Sequence, residues 1–308
     1  MAYPKPLSQV NINKMCREYG LSSMLVEKLH RYYEAFAKLY ETVFLNEAWQ
    51  VIKKLEPQIK KKDFINFSSI ARREDLPYYI YEINEVYSAE LPKPEERIIV
   101  IKDLVGKGYG KFYDLYQLAE AHNVKSIYDK PDLLKVAENP LYDKKLREYL
   151  SHLTFIQGKN KGKSFNDVII TSYEQFDIDY YKSPDKKEYY RKRAQRPFLE
   201  KLVEKMYYWA NFSDNPIYDA MNYLEETEFI FKNEVQVNRF MKHYSDFINN
   251  SHLWSNFGYT PHDMLFANKK PLKSISFGPG LQEAFADGGI DKDELVDMIH
   301  NLGIETLN

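Results

Sequence analysis

Tyr78-Tyr79-Ile80-Tyr81-Glu82-Ile83-Asn84-Glu85-Val86-Tyr87 and Arg97-Ile98-Ile99-Val100-Ile101-Lys102-Asp103-Leu104 are rich in tyrosine, isoleucine and valine, and Pro92 and Pro94 lie between them. Aromatic and β-branched residues fit a pleated, half-buried surface, and proline interrupts a ladder. The two runs therefore read as an antiparallel hairpin with a long loop. Upstream the pattern is helical. Ile12 to Tyr19 form a short helix broken at Gly20, and Ser22 or Ser23 caps a longer one reaching about Phe44. Its apolar positions Leu25, Leu29, Tyr32, Phe36, Leu39 and Val43 alternate four and three apart, which makes one stripe on a helix. A third helix carries Trp49, Ile52 and Leu55 and ends near Pro57; after Lys60-Lys61-Lys62, a shorter one covers Asp63 to Arg72. Helices followed by a hairpin predict a winged-helix-like N-terminal module.

Downstream, Gly106, Gly108 and Gly110 mark a turn before a helix over Lys111 to His122, with short helices at Pro131–Val136 and Lys144–Phe155. Gln157 to Lys163 is basic and glycine-containing, and reads as the main linker. Asp167–Tyr181 reads as a short strand-and-turn element, followed by helices at Asp185–Trp209, Ile217–Phe231 and Val235–Asn249. A last helix begins at Asp291, where Glu294 completes a capping box. The expected fold is mainly α with a minor antiparallel β-hairpin (α+β). Its modules are residues 1–156, a linker and irregular element at 157–184, and a helical C-terminal module at 185–308.

The composition narrows the function classes. Among 308 residues, 43 basic and 45 acidic side chains nearly cancel, so global charge points to neither nucleic acid nor a membrane surface. Cys16 is the single cysteine, which excludes an internal disulfide framework and suits a reducing compartment. Met1 to Val10 lacks an apolar run of signal-peptide length, and no run is long enough to span a bilayer. The expectation is a soluble cytoplasmic protein. Twenty-six tyrosines and eighteen phenylalanines predict packing between helices with hydroxyls at the surface.

Several motifs invite a sharper reading. Gly158-Lys159-Asn160-Lys161-Gly162-Lys163-Ser164 places three residues between its glycines where a phosphate loop needs four, so a surface linker is favoured. Gly106-Lys107-Gly108-Tyr109-Gly110 lacks the third glycine of a dinucleotide fingerprint, since position 111 is Lys111. Aligned to a calcium loop, Asp287 to Glu294 would put Phe285 where a ligating oxygen is required. His243, His252 and His262, with Asp246 and Asp263 nearby, are spaced nine and ten apart and match no metal pattern. Cys16, Gly20 and Val26 meet helix-turn-helix spacing, which would bring Glu27, Lys28 and Arg31 near a DNA groove. The last candidate is the basic run Lys182, Lys186, Lys187, Arg191, Lys192, Arg193 and Arg196, interleaved with Tyr180, Tyr181, Tyr189 and Tyr190. It could neutralise phosphates and stack on bases, although a solvated helix face explains the same residues.

Trp254-Ser255-Asn256-Phe257-Gly258-Tyr259-Thr260-Pro261 and Ser276-Phe277-Gly278-Pro279-Gly280 order glycines, prolines and aromatics as a specified bend does. These segments, with Phe36–Tyr40, Leu76–Ile80, Glu85–Tyr87, Ile101–Tyr109 and Ala284–Gly288, resemble SEC-C-motif-associated proteins of low-GC Gram-positive bacteria, a group with no agreed activity. The resemblance implies a bacterial cytoplasmic protein with a hairpin-bearing helical N-terminal module and a helical C-terminal module. The cysteine-rich zinc motif that follows this segment in many of those proteins has no counterpart here, so its zinc function does not carry over.

The leading functional expectation is a non-enzymatic binding or adaptor protein with a protein partner held at Trp254, Asn256, Tyr259 and Phe277. The first alternative is a DNA-binding regulator using the helix-turn-helix at residues 12–31, with nucleic-acid contacts at Lys28, Arg31, Lys187, Arg191, Arg193 and Arg196. The second is a hydrolase or transferase with a site between the modules, drawing on His243, His252, His262 and Asp263. No catalytic residue, metal or cofactor is assigned, and no membrane partner is expected.

Overall fold

The two runs that read as a hairpin pair antiparallel, as strand β2 (Tyr78–Tyr81) and strand β3 (Ile98–Ile101), with Tyr78 opposite Ile101 and Tyr81 opposite Ile98. This computed structural model describes residues 3–86, 92–102, 117, 126–170, 187–188, 191–192 and 194–267. The expected turn at 106–110, the helix at 111–122 apart from residue 117, and the segments beyond 267 lie outside the described residues.

A third strand, β1 (Thr42–Phe44), completes the sheet in the order β1-β3-β2, with Thr42 opposite Val100 and Phe44 opposite Ile98. The fold is therefore α+β, mainly helical with a small antiparallel sheet. The sequence stripe carried the preceding helix to Phe44, but helix α2 (Ser23–Tyr40) stops earlier. Glu41 takes a left-handed backbone, φ 57°, and turns the chain into the strand. Ser22 caps α2 by accepting a bond from Leu25 N. The expected β2 run also ends early: after Tyr81, Glu82 N donates to Glu85 Oε2 at 2.7 Å and starts the short helix α5 (Ile83–Val86). Helices α3 (Leu45–Leu55) and α4 (Lys61–Ala71) lie between β1 and β2. The order α2–β1–α3–α4–β2–β3, with β3 central, is that of a winged-helix module, preceded here by helix α1 (Gln9–Glu18).

The first core gathers the buried faces of α1 to α4 and of the sheet, with helix α6 (Leu133–Glu138) packed on α2. The second is built on helices α7 (Lys144–Ser151), α8 (Phe198–Phe212), α9 (Pro216–Glu226) and α10 (Glu234–Asn250). Asn215 and Asn233 cap α9 and α10 through their side-chain oxygens. Apart from Phe257, which returns to it, the first core draws on residues up to Ala137, and the second draws on residues from Leu146 to Leu253. Gln157–Lys163 does not join modules. Phe155 and Phe165 on either side are buried in the second core, Thr154 bridges Ser164, and Gly162 N donates to Phe155 O. Both cores belong to one compact unit, Met1–Pro261; a second comprises His262–Asn308, of which residues 262–267, in helix α11 (Pro261–Ala267), are described.

The tyrosines depart from expectation in one respect. Tyr33, Tyr40, Tyr207 and Tyr244 are buried, and their hydroxyls donate to main-chain carbonyls of Phe64, Tyr128, His252 and Met206 rather than reaching water. A buried hydroxyl without a partner costs on the order of 1–3 kcal/mol, which these bonds avoid. Among the described residues no helix is long and apolar enough to cross a membrane.

The segment 251–260 fastens the two cores. Tyr128 N donates to Phe257 O, His252 N to Pro140 O, and Ser255 N to Asn211 Oδ1. Gly258 (φ 83°) lies so close that a Cβ there would meet Tyr40 Cε1 at 2.9 Å and Tyr128 Cβ at 3.2 Å. Gly20 (φ 69°) has nothing within 4 Å of a Cβ. Gly20→Ala is therefore expected to cost only the backbone strain, ~1 kcal/mol, whereas Gly258→Ala adds overpacking and should cost about 2–4 kcal/mol. Urea denaturation followed by tryptophan fluorescence compares the two; equal losses would show that the close approach at Gly258 is relaxed without cost.

Candidate functional site

Helix α8 places Glu200, Val203, Glu204, Tyr207 and Tyr208 at helical spacing, so all five share one face. That face forms a wall of a groove of about 660 Å³. Lys38 of α2 and Ile101 of β3 line it from the first core, with Pro140, Leu141 and Arg147 beside them and Lys192, Arg196 and Trp254 completing it. The position of Trp254 follows from the 251–260 fastening. Its Nε1 donates to Lys38 O at 3.0 Å, and its ring meets Tyr207 edge-on at 4.7 Å.

Charge is organised in pairs across elements. Arg147 bonds Asp143 on its own helix and Glu200 of α8 at 2.7 Å, and Arg196 bonds Glu204. Burial would lower the Arg147 pKa, but the bonds to Asp143 and Glu200 outweigh it and hold the value above its ordinary level. Arg196 Nε is buried with no acceptor. Lys38 pairs with Glu34 at 2.7 Å, and Lys192 lies 3.6 Å from Glu188 in an exposed contact. The described lining thus combines aromatic surface with four cations and two carboxylates, and contains no histidine, cysteine or serine. Such a surface holds a ligand by stacking and charge; its described side chains include no nucleophile–base pair.

Of the residues expected to bind a partner, Trp254 lies in the groove. Asn256 is 4% exposed, held inside the 251–260 turn. Tyr259 is half-buried against Tyr128 at 5.3 Å. Phe277 lies outside the described residues. Of those expected at nucleic acid, Arg196 lines the same groove, Arg191 is exposed, Lys187 is half-buried, and the side chain of Arg193 lies outside the described residues. Lys28 is tied to Glu56 at 2.9 Å, and exposed Arg31 borders a shallow depression with Glu34 and Glu138. The helix after Gly20 is α2, whose Leu29, Tyr32, Tyr33, Phe36, Leu39 and Tyr40 are all buried. It is the inner helix of its module, because its apolar stripe is consumed by the core, so the spacing of Cys16, Gly20 and Val26 does not leave this helix presented as a reading head.

His243 and His252 have different partners. His243 stacks on Tyr149 at 4.8 Å with Nδ1 buried and unpartnered, while His252 Nδ1 lies 2.7 Å from Gly258 O and its ring meets Tyr128 edge-on. His262 and Asp263 belong to the second unit. Among the described residues no group of three or more histidine, cysteine, aspartate or glutamate side chains could hold a metal ion. In the glycine loop, Lys161 N, Gly162 N and Lys163 N donate to Gly158 O, Phe155 O and Asn160 O, so these amides are not available to cradle a phosphate. Sequence reading missed Lys38, Arg147, Glu200 and Glu204. The Glu200–Tyr208 spacing was visible, but it looks like any amphipathic helix.

Compared with known proteins, the chain matches no family model, no curated protein and no solved structure.

The most perturbed carboxyl among the described residues is Glu74, beside α1. Burial pushes it up to about 7 from an ordinary 4.5. Burial also holds His30 below its usual value, against the opposing charge of Glu34. The 3.3 Å approach of His30 Nε2 to Glu74 Oε2 is therefore one in which burial disfavours the charged form of both partners. A carboxyl that keeps its proton longer when folded contributes stability in full below about pH 4.5 and loses it as pH rises towards 7. Glu74→Gln, neutral at every pH, is expected to match the parent near pH 4.5 and to exceed it increasingly up to pH 7, levelling off above. Urea midpoints at pH 4.5, 6, 7 and 8 provide the measurement; a constant difference across that range would remove Glu74 as the titrating group.

Proposed function

We propose that this protein is a non-enzymatic binding protein, an adaptor, that takes an acidic, aromatic-bearing segment of a partner protein into the groove between its two cores. The supporting observation is that Trp254, Tyr207 and Tyr208 share one groove with Lys38, Arg147, Lys192 and Arg196. Aromatic rings with arginine beside them are the side chains that dominate binding hot spots, and lysine at a rim steers an acidic partner. The separation of His243 from His252 and the make-up of the described lining favour binding over hydrolysis or group transfer. The single cysteine fits a reducing cytoplasmic setting, and the sequence resemblance to the SEC-C-associated proteins is the family assignment we favour.

A random copolymer of glutamate and tyrosine, fluorescein-labelled, is a defined probe for this chemistry. Anisotropy titrations should show binding that weakens with salt, and Lys192→Glu should weaken it about tenfold, equivalent to ~1.4 kcal/mol. Lys192 is exposed and its ion pair among the described residues is with exposed Glu188, so the variant should unfold at the parent's temperature. Equal affinity for polylysine, or no loss in Lys192→Glu, would sink the reading. Binding of duplex DNA that depends on Lys192 would instead give the groove to nucleic acid.

A further inference from the structure

A second concavity, of about 520 Å³, opens at the root of the β2–β3 hairpin. Three arginines from two elements line it: Arg72 and Arg73 at the end of α4, and Arg97 immediately before β3. Ser69 of α4 and Glu82 complete its polar side, and Leu7 and Met15 are on its apolar side.

Each guanidinium carries five N–H donors, so their use can be followed one by one. Arg97 gives Nε and Nη2 to Glu82 Oε1, at 2.9 and 2.8 Å, and Nη1 to Ser68 Oγ and Ser69 Oγ, at 2.6 and 2.8 Å. One Nη2 hydrogen remains. Arg72 gives Nη1 to Ile80 O and Glu85 Oε2 and Nη2 to Glu85 Oε1, each at 2.6 Å, and keeps Nε and one Nη2 hydrogen. Arg73 is different: its Nε is buried and has no acceptor. Ser69 Oγ accepts from Arg97, which leaves its own hydrogen to donate. Glu74, the next residue after Arg73, approaches His30. Three guanidinium charges therefore face two carboxylates, Glu82 and Glu85, with one positive charge in excess as long as the neighbouring Glu74 keeps its proton, which it does below about pH 7.

We propose that Ser69, Arg72, Arg73 and Arg97 form a binding site for a phosphate group. A tetrahedral phosphate offers acceptors in several directions, which suits donors arriving from two elements better than a planar carboxylate does. One excess charge matches a phosphodiester and offsets part of the charge of a monoester, which is close to doubly charged at neutral pH, and Leu7 and Met15 supply an apolar wall for the ester's organic part. The C-terminal end of α4 opposes an anion, but by less than a single hydrogen bond to a charged group contributes. The winged-helix order places this site between the second helix of the α3–α4 pair and the hairpin, and Lys60, Lys61 and Lys62 are exposed at the start of α4. The phosphate can thus belong to a free ester or to a nucleic-acid backbone.

The test uses the full chain and three probes: inorganic phosphate, adenosine monophosphate, and a fluorescein-labelled duplex DNA, with ionic strength matched by sodium chloride. Phosphorus NMR line broadening reports the first two and anisotropy the third. Broadening or binding is expected with the parent, and Arg73→Ala should raise the dissociation constant at least tenfold. Because Arg73 makes no side-chain bond among the described residues, the melting temperature of the unliganded variant should not fall; if it does, Ser69→Ala serves as the second variant. A response to adenosine monophosphate but not to DNA identifies a free ester, and DNA binding lost in Arg73→Ala identifies the backbone; either supports the site. No response to any probe at millimolar concentration, or responses that survive both substitutions, would overturn it.

Discussion

A buried phenol must find an acceptor, and the architecture hangs on where these phenols find theirs. Tyr40, at the end of α2, donates to Tyr128 O, and Tyr207, on α8, donates to His252 O. The first bond ties the central helix of one core to the segment leading into α6. The second ties the main helix of the other core to the loop that fastens both. Burial drives the Tyr33, Tyr40 and Tyr207 hydroxyls well above the ordinary phenol range, so they remain donors at any pH the fold survives. Tyr78 is the exception: its hydroxyl is buried without a partner. Because Gly258 must also pass beside Tyr40 and Tyr128, the path of residues 251–260 is fixed at several points, and Trp254 is carried to the groove as a consequence.

The fold was legible where residue chemistry and period agreed. Tyr78–Tyr81 and Ile98–Ile101 could be read as strands because aromatic and β-branched side chains fill them and prolines stand between. Ser22 could be read as a cap because its hydroxyl precedes the first apolar turn. Strand β1 was not legible. Val43 continues the four-and-three spacing of α2, and the break rests on a left-handed glutamate, a residue that carries no turn signal. Gln157–Lys163 misled in the opposite direction. Its lysines and glycines look like a linker, yet Phe155 and Phe165 on either side are buried in the second core, so the segment is a largely exposed loop of that core.

The candidate sites were legible only in fragments, for a related reason. Trp254 and Arg196 stand out by residue type, and both line the groove. Arg147 and Glu200 lie 53 positions apart, and Ser68 and Arg97 lie 29 apart, so these pairs exist only once helices and strands have packed. Single-sequence periodicity describes one element at a time and is silent about pairs between elements. The same limit explains the histidines: spacing alone excluded local metal pairs, while folding was needed to separate His243 from His252.

Arginine serves two distinct purposes in this chain, and the donor inventory separates them. Arg147 is held by Asp143 and Glu200, and breaking such a pair leaves an uncompensated charge; its first role is to fix α7 against α8. Arg73 has no such duty, since among the described residues no side-chain bond depends on it and its buried Nε has no acceptor. A charged donor kept buried at a cost of a few kcal/mol, on the rim of a concavity, is more economically explained by a ligand than by packing. The two sites also stand on one rigid part. Arg97 precedes β3 at the cavity and Ile101 ends β3 at the groove, a separation of about 13 Å at ~3.3 Å per residue. Sites farther apart than about 7–10 Å with no shared side chain respond independently to substitution. A failure at one therefore leaves the reading of the other intact.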